Sequence, residues 1–118
     1  MNIVILQGQV RSDPRCSELP TGDQRWAFDI ATPDVDGRSM SVPVSCAGPS
    51  RLASLVAGLA VGDDVVVEGS VRRRFFRSGG ATQSRTEVVA IDLVPARSRA
   101  RVRRLLQRGA DALSDAAT

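Results

Sequence analysis

Between Gly69 and Ala90 the chain reads GSVRRRFFRSGGATQSRTEVVA, which sets Arg72, Arg73, Arg74 and Arg77 around the adjacent pair Phe75 and Phe76. A guanidinium group is planar and permanently charged, and it suits phosphate oxygens and flat rings. A phenyl ring offers a face on which a base can stack. In an extended chain successive side chains point to opposite faces. Arg72, Arg74 and Phe76 then share one face, in a row about 13 Å long at ~3.3 Å per residue. Val67, Val71 and Phe75 share the other and read as core. An aromatic ring among arginines favours a single-stranded nucleic acid, because a duplex hides the faces of its bases. An ordinary basic strand with Phe76 folded onto the core is the other reading of the same residues.

Other chemistry finds little support. There is no His and no Tyr, and all 16 basic residues are Arg. General bases and nucleophile activators are thereby reduced to carboxylates, and no close, apolar-flanked carboxylate pair stands out. The chain has no phosphate-cradling glycine motif, and Ser78-Gly79-Gly80 reads as a turn. Neither a metal site nor a cofactor is expected, and neither is an enzyme. The two cysteines, Cys16 and Cys46, are expected to be unpaired, at least one of them a small buried hydrophobe.

Charge is unevenly distributed. Residues 1–70 carry 5 Arg against 9 Asp and Glu, a net of −4, whereas residues 71–118 carry 11 Arg against 4 acids, a net of +7. A basic C-terminal half points to a polyanionic partner. No stretch approaches the ~18 consecutive apolar residues of a membrane span. The opening MNIVILQGQV reads as a mature strand, so a cytoplasmic, nucleoid-associated location is expected.

The elements that must position the arginines have mostly a period of two. In MNIVILQGQV, Val4, Leu6, Gly8 and Val10 share a face and Ile3 and Ile5 lie opposite, a pattern for a strand buried on both sides. Turn signals follow at Asp13-Pro14 and at residues 20–23. In RWAFDIAT, Trp26, Phe28 and Ile30 face the core, opposite Arg25, Ala27 and Asp29. Asp36-Gly37 predicts a hairpin compatible with a two-residue type I′ turn. Met40, Val42, Val44 and Cys46 alternate in the next strand, where Pro43 predicts an edge or one-sided pairing. Leu52, Leu55, Val56 and Leu59 predict a helix of about three turns, with Pro49 in its first turn and Gly62 near its stop. A long strand then carries the arginines, with Gly69 marking a bulge or bend. The strand after the hairpin is expected to turn Val89, Ile91 and Leu93 inward. The order β-β-β-α-β-β is that of an OB-fold, an all-β, five-stranded, partly open Greek-key barrel with one helix between strands 3 and 4.

After Pro95 the chain is strongly basic, and Val102, Leu105, Leu106 and Leu113 approximate a helical stripe. A docking helix, a partner-binding helix and a frayed basic tail all fit, and a short helix is the preferred reading. The expected division is a barrel domain over residues 1–95 and a basic segment over 96–118. The candidate nucleic-acid-binding residues are Arg72, Arg74, Phe76, Arg77 and Arg85. Arg73, Arg99, Arg101, Arg103 and Arg104 are candidates for auxiliary phosphate contacts.

In order and spacing, several residues resemble the bacterial single-stranded DNA-binding (SSB) family over about residues 2–95. They are Asn2, Val4, Leu6, Gly8, Val10, Asp13-Pro14, Leu19-Pro20-Thr21-Gly22, FDIAT, Gly48, LAVGDDVVVEGSVRRR and TEVVA. The resemblance implies a homo-oligomer, a tetramer or a dimer, that binds single-stranded DNA with little sequence preference in replication, recombination or repair. Phe76 matches a family stacking position, and Arg72 and Arg74 match basic positions on the same strand. Ser41, Ala47 and the loop around Asp36 stand where the family places further aromatics. The family's long linker and acidic C-terminal tip have no counterpart, and the sequence closes on LSDAAT, so recruitment of repair or replication proteins by that route is not expected. An OB-fold interaction module for a protein or a structured RNA is the alternative.

Overall fold

The computed structural model describes residues 1–117. Strand β1 (Val4–Val10) is followed by β2 (Arg15–Glu18), β3 (Gln24–Pro33) and β4 (Ser39–Gly48). Helix α1 (Arg51–Ala57) separates these from β5 (Asp64–Ser78) and β6 (Ala81–Pro95). Helix α2 (Arg99–Ala117) follows. No helix among the described residues is long and apolar enough to cross a membrane.

The strands run in the order β1-β5-β6-β4-β3-β2, and β1 returns to β3 where Gln9 meets Ala31 and Val10 meets Ile30. Five strands thus close the expected OB-fold ring. The contact between β4 and β6 is parallel and confined to Val44 with Val88 and Ser45 with Val89, which leaves the barrel partly open there. Closure requires close backbone approach. A Cβ on Gly8 would stand 2.5 Å from the Ala31 carbonyl oxygen. One on Gly69 would overlap the Val89 carbonyl, so neither position accepts a side chain without displacing the sheet. The four-residue β2, which lies between the two turn signals where the sequence predicts no element, pairs with the start of β3 from Arg15–Ala27 to Glu18–Gln24. All four of its residues are exposed, so backbone bonding rather than burial holds it.

The barrel interior contains Val10, Phe28, Ile30, Val44, Cys46, Val65, Val67, Val88, Ala90 and Leu93. Ala53 and Val56 of α1 plug one end, and Trp26, Leu52 and Leu59 pack against the same core. The helix is shorter than the apolar spacing predicts. Ser50, not Pro49, begins it by accepting a bond from the Ala53 amide, and Gly58 caps its C-terminus. Leu59 reaches the core from the loop beyond, and Gly62 turns that loop at φ +99°. Cys46 is buried and Cys16 exposed, both as free thiols.

The pattern departs from simple alternation in two places. Glu68 opposes Asp92 but Gly69 opposes Ala90, so Ile91 is an extra residue in β6. This bulge, which Gly69 signals, shifts the phase of the strand. Val88, Ala90 and Leu93 face the core, while Val89 is half-buried on the other face and Ile91 is 67% exposed. The expectation that Val89 and Ile91 turn inward is corrected accordingly. The second departure lies further along β5. β1 pairs with β5 only as far as Gly69, so from Val71 to Ser78 the strand has β6 as its partner and forms a two-stranded ribbon. The ribbon projects past the end of the core. Val71 and Phe75 do lie on the core side by alternation, but Val71 is exposed and Phe75 is 67% exposed. Their assignment to the core is overturned, because no second layer extends that far.

The turns also differ in detail. The ribbon tip is a two-residue loop, Gly79-Gly80, with φ of 60° and 80°. The β3–β4 connection is a longer loop in which the Asp34 carboxylate accepts bonds from the Asp36 and Arg38 amides. Only Gly37 has positive φ there, so the hairpin forms without a type I′ turn.

Helix α2 is 19 residues long rather than short, and it docks on the outside of the barrel. Leu105 is fully buried, in a small second cluster with Val66 and Val94 that Ile5, Ala96 and Val102 adjoin. This cover explains why β1 carries apolar residues on both sides. Leu106 and Leu113, although part of the same apolar stripe in the sequence, remain exposed.

Candidate nucleic-acid interface

The outer face of the sheet is built from residues that alternate with the core. Arg25, Ala27 and Asp29 of β3 lie beside Ala47, Ser45 and Pro43 of β4. On the ribbon Arg72 opposes Glu87, Arg74 opposes Arg85 and Phe76 opposes Gln83. Directly opposed residues of an antiparallel pair share a face. Arg72, Arg74 and Phe76 therefore share a face, as their alternation predicts, and Arg85 joins them through its pairing with Arg74. Arg15 of β2, opposite Ala27, extends the same face.

Glu87 organises the centre of this surface. Its side chain is 2% exposed and accepts from Arg25 Nη2 at 2.5 Å and from Arg72 Nη2 at 2.8 Å. Burial alone would raise its pKa. The hydrogen bond from Arg72 and the charge and hydrogen bond of Arg25 outweigh that and hold the carboxyl below its usual value. Two guanidiniums share one carboxylate, so the group keeps a net positive charge, and Arg72 is still half exposed. Arg85 contacts the Asp29 carboxylate at 3.4 Å, a longer and more exposed pair. Such a pair contributes little to stability and is readily exchanged for another anion.

Between these arginines lies a shallow groove of about 320 Å³ whose wall includes Arg25, Arg72, Arg74, Ser45, Ala47 and Val89. Its lining mixes cationic edges with small and aliphatic surface. Arg25 Nε and Ser45 Oγ are buried beside it without a hydrogen-bond partner among the described residues. At the ribbon end the Arg74 guanidinium carbon sits 5.1 Å from the centre of the Phe76 ring. That is cation–π distance. Phe76 is half-buried, with Arg74 over its ring.

The remaining sequence candidates are dispersed. Arg77 and Arg73 alternate onto the opposite ribbon face with Phe75, and Arg77 Nη2 donates to the Gly80 carbonyl in the turn. Arg101 and Arg104 line a separate cleft between the two helices. Arg99 and Arg103 are exposed on another flank of α2, set by the ~100° turn per residue. Ser41 and Ala47 are both exposed on β4, Ala47 in the groove wall. Sequence reasoning missed Arg25 and Glu87 as members of the site. Arg25 was visible as an outward position opposite Trp26, whereas Glu87 carried no signal beyond being the one acid between Glu68 and Asp92.

Comparison with known proteins agrees with this architecture. Among solved structures, the crystal structure of wild-type single-stranded DNA binding protein from Thermus aquaticus is similar, with a TM-score of 0.64 and 24% sequence identity. The match covers 80% of this chain and 40% of that one, and at such identity it speaks for the fold alone. No curated protein matches the sequence. The family model described as the single-strand binding protein family matches residues 1–95, which takes in the whole barrel and both strands of the ribbon. On that coverage the chain belongs to the single-strand binding protein family.

Proposed function

We propose that the chain binds single-stranded DNA, without catalysis and with little sequence preference, across the face formed by Arg25, Arg72, Arg74, Arg85 and Phe76. The observation that carries this reading is the stacked Arg74–Phe76 pair standing beside the Arg25–Glu87–Arg72 cluster. One end of the face offers a ring for a base, and the rest offers guanidiniums for the phosphates that flank it. Family membership supports the same ligand. A role in replication, recombination or repair follows from that ligand.

Assembly into a homo-oligomer is part of the proposal. Ahead of Gln9, β1 has β5 as its only strand partner, and apart from the Gln7 carbonyl, which accepts from Thr32 Oγ1, its other edge offers backbone groups to a second copy. Mass in solution tests this directly.

The binding reading is tested by titrating labelled oligo-dT at several salt concentrations, with duplex DNA and a folded RNA as competitors. If about 4 phosphates are neutralised, log K against log[salt] has a slope of roughly −3 for a single strand. A flat salt dependence, or preference for duplex or folded RNA over oligo-dT, overturns it.

A further inference from the structure

A second concavity, larger than the groove, lies outside the sheet face. It is a cleft of about 730 Å³ between α1 and α2, floored by β6. Arg51 enters it from α1, and Arg101, Arg104 and Arg108 enter from α2 at i, i+3 and i+7, a spacing that keeps them on one helix face. Arg108 is tied to Asp92, the one acid in the lining among the described residues. Among the described residues no carboxylate bridges Arg51, Arg101 or Arg104. Several like charges thus converge on one cleft with a single counter-charge, an arrangement that an incoming anion relieves.

The position of the cleft identifies the anion. Val89 forms part of the groove on the sheet face, and Ile91 forms part of the cleft floor. The two are two residues apart on β6, about 7 Å along a strand. The bulge at Ile91 falls on β6 between the two concavities, so they are neighbours along one strand. Among the described residues no aromatic side chain lines the cleft. What it offers is phosphate-binding guanidinium over an aliphatic floor of Ile91 and Leu55.

We infer that the α1–α2 cleft is a second phosphate-tracking subsite, through which a single strand bound on the sheet face continues past β6 onto α2. The inference rests on the single-strand reading above and adds to it a path and a length dependence. A strand long enough to leave the groove engages Arg51, Arg101 and Arg104, and a strand that only fills the groove does not.

The test compares oligo-dT of about 8 and about 30 nucleotides, lengths that bracket the range of site sizes known for single OB-folds. The full chain is measured beside an Arg51→Gln/Arg101→Gln/Arg104→Gln variant. All three side chains are exposed, and an unchanged circular dichroism melt verifies the fold. The expected result is unchanged affinity for the short oligomer and at least a tenfold loss for the long one. The salt slope for the long oligomer becomes shallower by about 2, at ~0.7 for each phosphate no longer neutralised. Equal losses at both lengths, or none at either, overturn the inference. So does a labelled acidic peptide with an apolar end that binds wild type and not the variant while long-oligomer affinity is unchanged, since the cleft would then be a protein-docking site. If wild type binds neither oligomer, the single-strand reading itself fails. That outcome is distinct from short-oligomer binding with no length effect.

Discussion

Replacing Phe76 by alanine separates the two faces of the ribbon. The chain has four aromatic residues, one Trp and three Phe. Phe28 is buried in the barrel, and Trp26 packs against the same core. Phe75 and Phe76 are left for stacking, and they point to opposite sides of β5. On the proposed path only Phe76 meets the strand. Loss of one stacked base costs about 1–3 kcal/mol. At ~1.4 kcal/mol per factor of ten, Kd rises roughly 5- to 150-fold. Removing the cation–π pairing with Arg74 at 5.1 Å adds little to this, because that pairing already exists in the free protein.

Salt dependence distinguishes the ring from the charges. Phe76→Ala leaves every phosphate-binding arginine in place, so the slope of log K against log[salt] stays where it was. Arg74→Ala makes it shallower by about 0.7. Phe75→Ala serves as the matched control, since it deletes an equally large ring that is 67% exposed on the opposite face. Fluorescence titration of oligo-dT at three or four salt concentrations measures all of these quantities. A loss for Phe75→Ala equal to or larger than that for Phe76→Ala would refute the reasoning and move the strand to the face that also carries Arg73 and Arg77. A shallower slope for Phe76→Ala would show that the ring acts by placing Arg74, not by stacking.

Further outcomes follow from the packing. The Glu87 carboxyl is held below its ordinary value of 4.5 in the fold. Below that value the unfolded chain takes up the proton first, so the stabilisation is complete above about pH 4.5 and is lost as pH falls through the lower folded value. Glu87→Gln should be about 1–3 kcal/mol less stable at pH 7 by denaturant titration, and should lose less stability than wild type on acidification. Leu105→Ala, at a fully buried site under α2, should destabilise by roughly 2–5 kcal/mol and expose α2 to protease. A thiol reagent should label Cys16 in the native protein, whereas Cys46, whose pKa burial raises, should react only after unfolding.

The barrel was readable in the sequence because alternation is a local property. Each strand states its own two faces, and the helix between the third and fourth long strands is set by its apolar spacing. What lies above a face is not local. Phe75 alternates with Val67 as the pattern requires, yet it stands beyond the last residue that β1 covers. Gly69 announced a bulge, but the inserted residue is Ile91 on the partner strand, which only the pairing reveals. The α2 interface was under-read because one of its two buried residues is Gly109, which no apolar pattern selects. For Glu87 the obstacle was sequence distance, since its closer partner, Arg25, is 62 residues away.

That buried acid changes how the basic face should be understood. Three free arginines in a row would repel one another and would each lose rotamer freedom on meeting a phosphate. Here Glu87 fixes the end groups of Arg25 and Arg72 on either side of one carboxylate before any ligand arrives. Phe76 restrains Arg74 in the same way from the ribbon side. Part of the ordering cost is thereby met during folding, and what remains positive is already directed toward the groove. A face with one outward ring on this side can bind a strand on those terms. On the proposed reading a larger share of its affinity comes from placed charge than from stacking, so added salt should remove a larger fraction of its binding free energy than in a barrel that has the same charges and more aromatics.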